Sequence, residues 1–95
     1  MNVNNVETSK LRLSTTANIV LYSLPDNDIK AIAKRVKGFV KQLIDGNPKT
    51  EGAVYQLSYK NLIVLLKKHN DHLEMMDIVN HQVYHPRNGF SPYVL

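Results

Sequence analysis

Cysteine is missing altogether from these 95 residues, which excludes disulfides and thiol chemistry and requires a core that holds without staples. That fits a reducing compartment. Long apolar runs are missing too: none approaches the roughly 20 residues that span a bilayer, so no membrane passage is expected. The four glycines never cluster, and a phosphate-cradling loop of the GxxxxGK(S/T) kind is absent. The first ten residues, MNVNNVETSK, have neither the basic start nor the apolar stretch of a secretory signal, and a cytoplasmic location is the default expectation. Ser23, Ser58 and Ser91 lie in no nucleophile-elbow sequence, and the acids form no obvious pair. An enzyme is therefore not expected, and no cofactor is implied.

Acids are also absent from Ile29 to Ile44, where five basic residues fall. Apolar residues recur there at Ile29, Ile32, Val36, Phe39 and Leu43, in the steps of three and four that define an amphipathic helix. At about 100° per residue, Lys30, Lys34, Lys37 and Lys41 share one narrow stripe beside the apolar face. A polyanion or an acidic partner could read that line of ammonium groups. Charge is uneven elsewhere. Residues 46 to 70 hold four lysines against one Glu, whereas residues 71 to 80 hold Asp71, Glu74 and Asp77 with no Lys or Arg. Such asymmetry favours oriented binding of an anion or oriented self-association.

Ninety-five residues make one domain that buries roughly two-thirds of its unfolded surface. The polar first ten residues read as a flexible N-terminal arm, residues 11–85 as a single helical domain, and residues 86–95 as a hairpin or extended tail. Between Leu11 and Leu24 the pattern suits a strand or a short helix, with the helix preferred, capped by Ser14, Thr15 or Thr16 and ended by Pro25. Asp26, Asn27 and Asp28 supply capping oxygens and negative charge to the start of the basic helix, expected over 28–45, and Gly46 with Pro48 closes it. Val54 and Tyr55 suggest one small strand. Tyr59, Leu62, Ile63 and Leu66 then stand at helical spacing, predicting a helix over 59–69. Asp71 and Glu74 have the form of a capping box for a third helix over about 72–82. Beyond it, Asn88-Gly89 is a hairpin signal, tempered by Pro86 and Pro92.

The fold expected from this order is mainly α, three to four short helices around one core, winged-helix-like if the C-terminal hairpin forms. A winged helix wants positive charge on its recognition helix and on its hairpin. The third helix fails that demand because its charges are acidic. Any nucleic-acid surface therefore falls on Lys30, Lys34, Lys37 and Lys41, joined by Lys60, Lys67 and Lys68 and, at the hairpin tip, by Arg87. A helix-turn-helix beginning at Ile32 loses to an unbroken helix, since Phe39 continues the apolar face. His69 with His72 and His81 with His85 stand at spacings that can bind zinc. With no cysteine to assist and a predicted break between the first pair, they read as surface histidines and no metal site is assigned. Tyr84, Phe90 and Tyr93 are the aromatics free to stack on bases.

Two functions follow as expectations. One is a small non-enzymatic nucleic-acid-binding regulator of the DNA-binding, transcription-regulating kind, holding phosphates on the basic stripe. The other is a protein-binding adaptor or inhibitor whose helices dock on an acidic protein surface or, as a homodimer, on a second copy of the chain.

Overall fold

The computed structural model describes residues 6–45, 52–82 and 93–95. Its elements run β1 (Leu11–Leu13), α1 (Thr15–Tyr22), α2 (Asp26–Asp45), β2 (Val54–Tyr59), β3 (Leu62–Lys68), β4 (Leu73–Asn80) and β5 (Tyr93–Val94). The strands form one mixed sheet in the order β1-β4-β3-β2-β5. β2, β3 and β4 are an antiparallel meander, while β1 joins β4 and β5 joins β2 in parallel. The domain is therefore α/β, with two helices among the described residues, and the mainly helical, winged-helix expectation is overturned.

Both helices pack on one face of the sheet. Leu57 pairs with Val64 and Val64 with Ile78, and Tyr55 pairs with Leu66 and Leu66 with Met75, so these residues share a face. All of them belong to the core that also takes Ala17 and Leu21 from α1 and Ile29, Ile32, Val36, Leu43 and Ile44 from α2. The basic helix forms where its period placed it. Asp26 and Asp28 stand in its first turn, where the positive end of the helix dipole favours them. The Pro25 carbonyl accepts from the N–H groups of Asp28 and Ile29. The expected close at Gly46 and Pro48 lies outside the described residues.

Between Leu11 and Leu24 the preferred helix forms as α1, which takes in the Ile19 to Tyr22 run whose β-branching suited a strand, and the strand lies earlier. Leu11–Leu13 is strand, and Ser14 caps α1 by accepting from the Ala17 N–H at 3.0 Å. Ser14 also fastens helix to sheet, its N–H donating to the Met75 carbonyl at 2.9 Å and its hydroxyl to the Met76 carbonyl at 2.6 Å.

The second half departs most from the helical expectation. The run over 59–69 is the end of β2, a two-residue turn at Lys60 and Asn61, and β3. Leu62 to Leu66 is continuously apolar because β3 is central in the sheet, and in such a run the helical spacing is incidental. The supposed third helix is β4. Leu73 and Met75 alternate inward as a strand requires, but the register with β3 shifts between Leu65 and Leu66, and Met76 is the extra residue of a β-bulge. The next inward residue is thus Ile78, and the sequence shows a step of three that mimics a helix. With that helix goes the recognition element of a winged helix, and so the DNA-reading, transcription-regulating mode that the element order implied. The Asn88-Gly89 hairpin lies outside the described residues.

Both edges of the sheet are occupied by the chain's own segments. At the β1 edge, Thr8 and Leu11 exchange backbone hydrogen bonds, Glu7 accepts from the Leu13 N–H at 3.0 Å, and Val6 is buried with its N–H on the Tyr22 hydroxyl. At the β2 edge, the Leu95 N–H donates to the Gln56 carbonyl at 2.8 Å, and Arg35 Nη1 donates to the Ser58 carbonyl at 2.6 Å.

Candidate nucleic-acid interface

The apolar stripe of α2 points into the sheet, and its two flanks are used differently. Asp28 and Arg35 leave one flank toward the β2–β3 hairpin. Asp28 Oδ1 accepts from the Tyr59 hydroxyl at 2.7 Å and from Lys60 Nζ at 2.8 Å. The ammonium group of Lys60 also lies 5.5 Å from the centre of the Tyr59 ring, in cation–π range. The Lys60 ion pair, then the Tyr59 hydrogen bond, holds the Asp28 carboxyl below its ordinary range. The same bond from Tyr59 to a carboxylate raises the phenol, and the Asp28 carboxylate raises the Lys60 ammonium. Lys60 adopts a φ of +52°, a left-handed conformation unusual for a residue with a Cβ. The ion pair and the tight turn hold it there.

Lys30, Lys34, Lys37 and Lys41 leave the other side of α2, the one turned away from the sheet, at about 100° per residue. All four are exposed, and none of them takes part in an ion pair among the described residues. Over eleven residues the line rises about 17 Å at 1.5 Å per residue. Such a row concentrates positive potential along one helix side, and compact ammonium groups on flexible stems suit phosphate oxygens as point charges.

The remaining basic candidates do not join this line. Lys60 belongs to the opposite flank and is neutralised by Asp28. Lys67 stands on the sheet face turned away from the helices, in register with Glu74, which is in turn in register with Arg12. Lys68 is fully buried, its Nζ 3.5 Å from the His69 carbonyl, and cannot reach a phosphate. Arg87 lies outside the described residues, as do Tyr84, Phe90 and His85. Tyr55 and Tyr59 face the helices, so the described outer face of the sheet, with Gln56, Ser58, Ile63, Leu65 and Val79, presents no aromatic ring for base stacking.

One arrangement was hidden from the sequence. β3 and β4 meet in a tight turn closed by the His69 N–H on the His72 carbonyl at 2.9 Å. It stacks the His69 and His72 rings with centroids 4.5 Å apart and planes 16° from parallel. The spacing of two was visible, but it carries contact only across a β-turn, and the break between the two residues was read as a helix boundary. His69 Nε2 lies 2.9 Å from Glu74 Oε1, and His72 Nδ1 lies 2.7 Å from Asp71 Oδ1. The hydrogen bond to His72 lowers the Asp71 carboxyl.

No family model, no curated protein and no solved structure matches this chain. Among the described residues, no helix is long and apolar enough to cross a membrane.

Proposed function

We propose that this chain is a small nucleic-acid-binding domain that acts as a binder rather than a catalyst and holds a phosphate backbone along α2. The observation that carries the reading is the line of four exposed lysines on the flank of α2 that the fold itself leaves unused. Asp28 and Arg35, on the side that reaches the hairpin, have internal partners, whereas these four lysines have no ion-pair partner among the described residues. Lysine ammonium groups on phosphates fix position without reading bases. Recognition is therefore of backbone and shape, and sequence preference is expected to be weak. Lys30, Lys34, Lys37 and Lys41 are the contacts; Lys60, Lys67 and Arg87 are not required.

The test is binding of fluorescent duplex DNA and RNA at about 50 and about 200 mM salt, where counterion release makes phosphate contacts steeply salt-dependent. Replacing Lys34, Lys37 and Lys41 together by Gln keeps helix propensity and most of the stems. For DNA, three lost contacts at about 0.9 counterions each should flatten the slope of log K against log salt by about 2.7 units. A parent protein that binds neither probe at low salt, or a triple variant that binds as the parent does, overturns the reading. The stripe would then belong to an acidic protein surface.

A further inference from the structure

We propose that His69 and His72 form a binding site for a divalent transition-metal ion of the copper, nickel and zinc class, with Glu74 and Asp71 orienting the two imidazoles. The inference is independent of the basic stripe, which lies on α2.

The argument starts from the two short contacts in the turn. A carboxylate at neutral pH only accepts hydrogen bonds, so the imidazole nitrogen facing it carries the proton. His69 Nε2 is 2.9 Å from Glu74 Oε1 and His72 Nδ1 is 2.7 Å from Asp71 Oδ1. In the neutral rings the lone pairs are therefore on His69 Nδ1 and His72 Nε2. Neither of these nitrogens has a hydrogen-bond partner among the described residues. Histidines that bind metals characteristically donate the other ring N–H to a carboxylate or carbonyl, which fixes the tautomer and raises the basicity of the ligating nitrogen. Here both rings of one turn have that arrangement, and both are reachable, their side chains being 29% and 28% exposed.

The rings start as a near-parallel stack, and two nitrogens must come within about 2.0 to 2.1 Å of one ion. A shared ion requires the stack to open by rotation about χ2, which is broad for His, with the Glu74 and Asp71 carboxylates following the ring N–H groups they accept from. Among the described residues no group of three or more His, Cys, Asp or Glu is placed to hold a metal, so two imidazoles bind and water completes the coordination. Imidazole with water selects the borderline ions, and the affinity order places Cu(II) first. Arg12 and Lys67 both stand in register with Glu74 on the outer sheet face and offset the carboxylate charge, which keeps the site modest in affinity.

The experiment titrates the full chain with Cu(II), then Ni(II) and Zn(II), by calorimetry in a non-coordinating buffer, with histidine resonances followed by NMR. The parent is expected to show Cu(II) binding that broadens His69 and His72 first. His69→Gln with His72→Gln should abolish this component, and Gln is chosen so that the exposed turn keeps polar side chains. His81→Gln should leave it unchanged. Glu74→Gln should weaken it by about 10 to 100-fold, as loss of an orienting carboxylate does. A doubly substituted chain that retains the parent's folded circular dichroism and binds Cu(II) as the parent does overturns the site. So does a parent that binds no more tightly than the double variant. If the double variant unfolds, a parent whose His69 and His72 resonances do not respond first to Cu(II) overturns it, and an unchanged affinity in Glu74→Gln overturns the orienting role.

Discussion

The flank of α2 that holds Asp28 and Arg35 and the flank that holds Lys30, Lys34, Lys37 and Lys41 are about equally polar, yet only the first is built into the fold. Asp28 binds Tyr59 and Lys60, and Arg35 binds the Ser58 carbonyl at the edge of β2. The lysines of the other flank have no ion-pair partner among the described residues. One flank secures the helix on the hairpin and closes an exposed strand edge; the other is left to solvent and to whatever binds there. A basic helix is thus not a site by virtue of charge alone. Under the proposed function, the site is the part of its charge that no internal contact uses.

The comparison breaks most completely if the stripe between the flanks is damaged. Ile32 is fully buried, and Ile32→Ala should cost about 2 to 5 kcal/mol, a large share of the stability of a domain this small. Urea unfolding would measure it, and an unchanged midpoint would show that α2 does not seat on the sheet. Next in size is the loss of nucleic-acid affinity on replacing Lys34, Lys37 and Lys41 by Gln. The same variant should unfold within about 0.5 kcal/mol of the parent, as exposed substitutions do. A large stability loss there would erase the distinction between the flanks.

The tied flank should reveal itself through acid. Because Asp28 has a folded pKa below its ordinary value, its contribution is present above the range where a free aspartate titrates, about pH 4, and is lost as pH falls through the lower folded value. In Asp28→Asn the fall in stability below about pH 4 should be shallower than in the parent, while nucleic-acid affinity stays unchanged. Parallel acid profiles would mean the ion pair contributes nothing. The smallest effect is expected for Lys60→Gly, which relieves a positive φ but deletes the partner of Asp28, two changes of opposite sign. Its diagnostic is the acid profile, which should fall between those of the parent and Asp28→Asn, because the Tyr59 hydrogen bond to Asp28 remains.

What the sequence disclosed follows from how local each signal is. α2 was legible because its period, its acidic first turn and its lysine line all lie within one helix. The cap of α1 was legible only as one of Ser14, Thr15 and Thr16, of which the structure uses Ser14. The meander was not, since β3 is continuously apolar from Leu62 to Leu66 and the bulge at Met76 turns the alternation of β4 into a step of three. The separation of Lys60, Lys67 and Lys68 from the stripe was equally hidden, because it depends on which sheet face each residue occupies. Burial of Lys68 and the stacking of His69 on His72 are likewise products of register and turn geometry.

The seam between β1 and β4 sets an order of events in folding. Leu11 pairs with Leu73, and the Ser14 hydroxyl reaches Met76 across 62 positions of sequence. The β2–β3–β4 meander needs only short turns and can close on the hairpin timescale of about 1 to 10 μs. The seam must instead bring together residues from opposite ends of the chain, and long loop closure is what slows domains with non-local pairing. β1 is accordingly expected to dock last, onto a sheet already formed, and to detach first. The amide protons of Leu11 and Ser14 should exchange with solvent faster than those of Val64 and Leu66 in the central strand, so that the first strand of the chain is the last piece of the sheet.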